Sequence, residues 1–227
     1  MLATFRKKGA LQFSKEVEMR FASVIGLALV LSLGGCASFT QDEVAQVDLP
    51  SMAGYTNKPS VYVDFDFYQG DPASANEMPQ ARDMLKPELK RAFNESGLFG
   101  RVTFDEFEKQ PGDYSLRLKV YNHAPNGGQL ALAFISGLTF TVIPALATDK
   151  YTMSLETLDE HGASIAKNQN HDAINTWMGI WFLPLVGNTP KAAVTDTFNR
   201  QVNALLKDWV DNNRLKYSAG ETRIPRA

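Results

Sequence analysis

The chain is short of the residues that most often do chemistry. Its 227 residues include one cysteine and three histidines. A single cysteine excludes an internal disulfide framework. His123, His161 and His171 stand at no H-x-x-x-H or H-E-x-x-H spacing, so metal ligation has no support and no cofactor is expected. His123 and His161, in glycine-rich or turn surroundings, are expected as solvated loop residues. There is no G-x-S-x-G elbow, no P-loop and no G-x-G-x-x-G, which leaves nucleophilic catalysis without a candidate constellation. An excess of one charge is also missing. With 23 basic and 25 acidic residues the formal net charge is -2, and a nucleic-acid partner held by phosphate contacts is not expected.

What is present begins at the amino terminus. Phe21 to Leu33 is an uncharged apolar run of 13 residues after Arg20, ending at Gly34, Gly35 and Cys36. A helix needs about 20 residues to cross a bilayer, so a cleavable signal helix over residues 1–35 fits better than a permanent span. Met19 offers an alternative start. Leu33-Gly34-Gly35-Cys36 resembles the lipobox of Gram-negative bacterial lipoproteins: an apolar residue, two small ones, then the cysteine. That resemblance implies cleavage before Cys36, a diacylglyceryl thioether on its sulfur and an acylated amino group. It implies a membrane partner reached through the acyl chains, since each buried methylene contributes about 0.8 kcal/mol. Ala37, where inner-membrane lipoproteins commonly carry aspartate, points to the outer membrane with the domain facing the periplasm. Removing residues 1–35 takes away five basic and two acidic residues and leaves a net charge of -5, so acyl chains rather than a polybasic patch would hold the protein to lipid.

The mature chain reads as a lipidated polar tether over residues 36–59, one domain over 60–216 and a flexible tail over 217–227. Ser60 to Tyr68 alternates Val61, Val63, Phe65 and Phe67 with Tyr62, Asp64, Asp66 and Tyr68, which predicts a half-buried strand with the two aspartates toward solvent. Gln80 to Ser96 has helical spacing, ends at Gly97 and contains Pro87 as a kink or first turn. Strands are expected over Val102 to Phe107 and Tyr114 to Tyr121, and a hairpin over Tyr151 to Leu158 and Ala163 to Thr176. Pro190 to Asn213 places Val194, Phe198, Val202, Leu205 and Trp209 on one helical stripe after a capping Asn188 or Thr189. The expected fold is α+β: an antiparallel or mixed sheet with two amphipathic helices packed on one face.

Two stretches fall outside this scheme. Ala124 to Thr148 and Ala173 to Pro190 contain no charged residue. Three readings are open: central strands or a buried hairpin bent at Gly137 and Pro144; an exposed patch for an envelope protein partner or self-association; or a segment dipping into the membrane that receives the acyl chains. Phe134, Ile135, Phe140, Ile143, Trp177, Trp181, Phe182 and Leu183 are the candidate contact residues. From Ser60 to Tyr121, the layout of strand, helix, ESGLFGRVTF and strand resembles periplasm-facing lipoprotein domains of the curli-secretion and TolB amino-terminal type. Together these features imply an outer-membrane lipoprotein acting as a non-enzymatic binding, scaffold or assembly component. The alternative is an envelope hydrolase using carboxylates from distant segments.

Overall fold

The computed structural model describes residues 35–213, apart from 53, 124, 126, 140, 141, 160 and 186, together with residues 218–219. The signal-like segment over residues 1–34, including Leu33 and Gly34, lies outside the described residues.

In chain order the elements are β1 (Cys36–Thr40), β2 (Tyr55–Asn57), β3 (Ser60–Gln69), β4 (Asn76–Glu77), α1 (Pro79–Glu95), β5 (Arg101–Thr103), β6 (Tyr114–His123), α2 (Gly127–Leu138), β7 (Ala145–Leu158), β8 (Ser164–Met178), α3 (Pro190–Asn213) and β9 (Ser218–Ala219). Seven strands form one sheet in the order β1-β8-β7-β6-β3-β4, with β5 also paired to β3. The sheet is mixed: β3 runs parallel to β5 and β6, and the other neighbours are antiparallel. The parallel β3–β6 pair needs a crossover, and α1 lies within it.

Alternation decides which face is covered. Val61, Val63, Phe65 and Phe67 of β3, Leu116, Leu118 and Val120 of β6, and Met153 and Leu155 of β7 are buried in one core. Leu85, Leu89 and Phe93 of α1 and Phe198, Val202, Leu205, Leu206 and Trp209 of α3 close it. Each such side chain, fully buried, contributes about 1.5–3 kcal/mol. The α+β class and the two helices on one face are thus as the periodicity indicates. The Ser96 N–H donates to Ala92 O at the end of α1, and Gly97 follows at φ 65°, the left-handed conformation glycine adopts without penalty. Pro87 sits inside α1 rather than at its start. Thr189 caps α3, its Oγ1 accepting from the Ala192 N–H at 3.2 Å.

Four segments depart from the sequence reading. Cys36–Thr40, grouped with the tether, is an edge strand antiparallel to β8. The rest of that segment lies over the domain with Val44 and Met52 buried, because these isolated apolar residues find the core without any periodic pattern. The strand expected to Phe107 stops at Thr103. The Asp105 carboxylate then accepts from the Phe107 N–H at 2.9 Å and starts a 3-10 turn, Glu106–Glu108, that leaves Phe107 99% exposed. In the tail, Ser218 and Ala219 pair with β2. The first uncharged stretch holds a helix, α2, where strands were one of the readings, and only the stretches' sheet-side ends, Ala145 to Thr148 and Ala173 to Met178, are strand.

Candidate functional site

Both uncharged stretches meet at one end of the sheet. Cys36 of β1 pairs with Met178 of β8, and Met178 pairs with Ala145 of β7, so the three residues form one row across three strands. The chain reaches this row from α2 before β7 and leaves it after β8 through the 3-10 segment Ile180–Leu185. The two excursions are tied together: the Trp181 indole N–H donates to Val142 O at 2.9 Å. Thr139 turns the chain out of α2, its N–H donating to Ile135 O and its Oγ1 accepting from the Ile143 N–H. Trp177 and Phe182 stack at a tilt with ring centroids 5.6 Å apart.

Of the residues singled out in the sequence, Phe134 (68%), Ile135, Ile143 and Trp181 (64%) are exposed. Trp177, Phe182 and Leu183 are half-buried, and Phe140 lies outside the described residues. Leu130, Leu138 and Val142 join the exposed set. Leu130, Phe134 and Leu138 recur every four residues, which puts them on one stripe of α2, and that spacing in an uncharged segment is the signal by which Leu130 was recoverable. Only Ser136 of α2 is buried. Among the described residues no helix is long and apolar enough to cross a membrane.

Cys36 is exposed, between buried Gly35 and Ala37. Gly35 accepts from the Gly179 N–H at 2.9 Å, and a Cβ placed on it would stand 2.5 Å from the Leu183 backbone nitrogen. A side chain there is sterically forbidden.

Comparison with known proteins adds little. No protein-family profile matches the sequence, and no curated protein sequence does. Among solved structures, the chain is similar to a PelC variant dodecamer from Paraburkholderia phytofirmans, at 13% identity over 75% of this chain and 95% of that one, with a TM-score of 0.31. At so low an overlap, neither that assembly nor any role passes to this chain.

Away from the apolar end the polar side chains form local pairs. Asp64 pairs with Arg117 across β3 and β6 at 3.3 Å. Burial, then the charges of Asp64 and Glu77, hold the Asp66 carboxyl above its ordinary range. Tyr68 stacks on Tyr121, and burial followed by the Asp66 charge pushes its hydroxyl up to about 12. The two aspartates are thus half-buried on the polar face rather than simply solvated.

His123 is no loop residue. It ends β6, its Nδ1 2.6 Å from Asp71 Oδ1 and its Nε2 2.7 Å from Thr152 Oγ1. His171 Nδ1 approaches the same hydroxyl at 2.8 Å. No local pattern signals this hydrogen-bonded row, because its members come from three strands and a loop. An aspartate orienting an imidazole beside a hydroxyl is the geometry of general-base activation. Here, however, Thr152 is buried, its hydroxyl is shared by two imidazoles, and it lies within the paired register of β7. Among the described residues no group of three or more His, Cys, Asp or Glu is placed to hold a metal ion.

Proposed function

We propose that this protein is a lipid-anchored component of the Gram-negative cell envelope, held through Cys36 at the outer membrane with its domain in the periplasm, that acts by binding rather than by catalysis. The observation that supports this reading most is the meeting of two uncharged stretches in an exposed apolar end, in the strand row that begins with Cys36. A large exposed apolar patch marks an interaction site, because leaving it in water costs free energy that a partner recovers. Phe134, Ile135, Ile143 and Trp181 are the contact residues.

Metabolic labelling with palmitate tests the anchor. The parent takes up label and sediments with envelopes, and Cys36→Ser loses both. Label absent from the parent, or unchanged sedimentation of Cys36→Ser, overturns the reading. Among the described residues, the Asp71–His123–Thr152 chain is the feature that favours a hydrolase. Ester or glycoside hydrolysis by the purified protein that Thr152→Val abolishes would establish that second reading in place of the first.

A further inference from the structure

The geometry points to the acyl layer of the bilayer as the occupant of the exposed apolar end, so that the domain rests on the membrane by its β1–β8–β7 edge instead of standing off on a tether. This rests on the reading of Cys36 as the anchor point.

Four observations converge on it. The first is position. Neighbouring strands lie about 4.8 Å apart, so the Cys36 and Ala145 backbones are separated by roughly 10 Å across the row they share with Met178. Acyl chains on Cys36 would enter the bilayer beside the points where the 3-10 segment and α2 adjoin the sheet. The second is the missing spacer. Only Gly34 and Gly35 separate the apolar run Phe21 to Leu33 from β1, and Gly35 is packed against the backbone of Phe182 and Leu183. Whether acyl chains on Cys36 or the run itself is embedded, hydrocarbon arrives at this end of the sheet.

The third is charge. Moving along the strands from the row of Cys36, Met178 and Ala145, the first charged residue of β7 is Asp149, paired with Ile174, which in turn pairs with Thr40. At about 3.3 Å per residue, four steps give roughly 13 Å of these three strands without a charge. Interfacial helices sink about 5–10 Å into the boundary between headgroups and chains, so no charge on these strands need be desolvated. The fourth is side-chain chemistry. The stripe Leu130, Phe134 and Leu138 is exposed on a 12-residue helix about 18 Å long, which can lie in the interface but not cross it. Trp181 has its N–H already satisfied by Val142 O and its ring exposed, which suits the headgroup boundary.

A protein partner on this face would have to share the space with the hydrocarbon delivered by Cys36, whereas anchoring raises the local concentration of the bilayer for the whole face. One consequence follows for the rest of the surface. The cleft of about 630 Å³ lined by Tyr62, Lys90, Thr103 and Phe104 lies at the start of β3, the opposite end of the sheet, and so faces water.

Because lipidation blocks the only native cysteine, an introduced cysteine is uniquely labelled. Spin labels are placed on Phe134→Cys and Leu138→Cys, with Phe107→Cys as the aqueous control, in the full-length lipidated protein reconstituted into phosphatidylethanolamine/phosphatidylglycerol vesicles. The expected result is a severalfold loss of collisions with a water-soluble nickel chelate, and a gain with oxygen, at 134 and 138 but not at 107. Two labels rather than one guard against a single variant that fails to fold. Nickel access at 134 and 138 equal to that at 107, in protein that still floats with the vesicles, overturns this inference and leaves the anchor intact. Spin–spin broadening at 134 that persists in detergent assigns the face to a second copy and overturns it as well. Flotation of Cys36→Ser equal to the parent's removes the anchor reading itself.

Discussion

Helices α2 and α3 have opposite relations between composition and burial. The α2 sequence GGQLALAFISGL has no charge and is largely apolar, yet its one buried side chain is that of Ser136. The α3 sequence includes Lys191, Asp196, Arg200, Lys207, Asp208 and Asp211, yet it buries Phe198, Val202, Leu205, Leu206 and Trp209. Apolar content therefore does not measure burial. What decides is whether a sheet face is available opposite the apolar side. For α3 the inner face of β7 and β8 is, whereas α2 approaches β7 and still leaves Leu130, Phe134 and Leu138 open. On the reading proposed above, an exposed helix so free of charge is one whose partner lies outside the folded chain.

Truncating one ring in each helix separates the two cases most widely. Phe198 packs edge-on to Phe65 at 6.2 Å in the core, so Phe198→Ala should cost about 3–5 kcal/mol in equilibrium urea unfolding. Phe134→Ala should stay within about 0.5 kcal/mol. Comparable losses at the two positions would mean that α2 is as much a core helix as α3.

The charges that α3 carries inward offer a second contrast with uncharged α2. Arg200 pairs with Asp42, with Asp196 at 3.5 Å and with fully buried Asp172 at 3.7 Å. Arg200→Met strands the Asp172 carboxylate and should cost about 3–5 kcal/mol. Thermal and urea unfolding at pH 7 check it, and a loss below 1 kcal/mol would show that water reaches Asp172.

Smaller effects come from the polar groups nearer the sheet end. Thr152→Val removes the hydroxyl shared by His123 and His171 and should cost about 1 kcal/mol, since both imidazoles can turn to water. The nitrogen-15 shifts of both rings should move together in the variant, and movement of one alone would show that the hydroxyl serves a single histidine. Asp149 marks the inner limit of the uncharged layer, where burial raises its pKa. The folded chain then holds the Asp149 proton to higher pH than the unfolded chain, so its contribution is most favourable at low pH and declines as pH climbs through the carboxylate range. Relative to the parent, Asp149→Asn should gain about 1–3 °C in Tm between pH 3 and pH 7. A gap that does not change with pH would place Asp149 in water.

Much of the fold was legible because its signals are local. The alternation of Val61, Val63, Phe65 and Phe67, the stripe from Val194 to Trp209 and the glycine after Ser96 each state a period or a stop within a few residues of chain. Other features are set over long separations and leave no local trace. No pattern in ASFTQ announces an edge strand, because β1 exists only through its pairing with β8 some 135 residues later. The histidine pair was hidden for the same reason, Thr152 standing between residues of β6 and β8 that are far apart in sequence.

The elements and their faces, the two uncharged stretches and the single cysteine behind an apolar run follow from neighbouring residues, since periodicity and composition are local properties. That the two stretches emerge side by side, that Trp181 is fastened to Val142 and that Cys36 stands in the row from which both depart follows from the packed fold alone. Strand order and register bring about those meetings, and they are fixed by the burial of the whole sheet rather than by any segment of it.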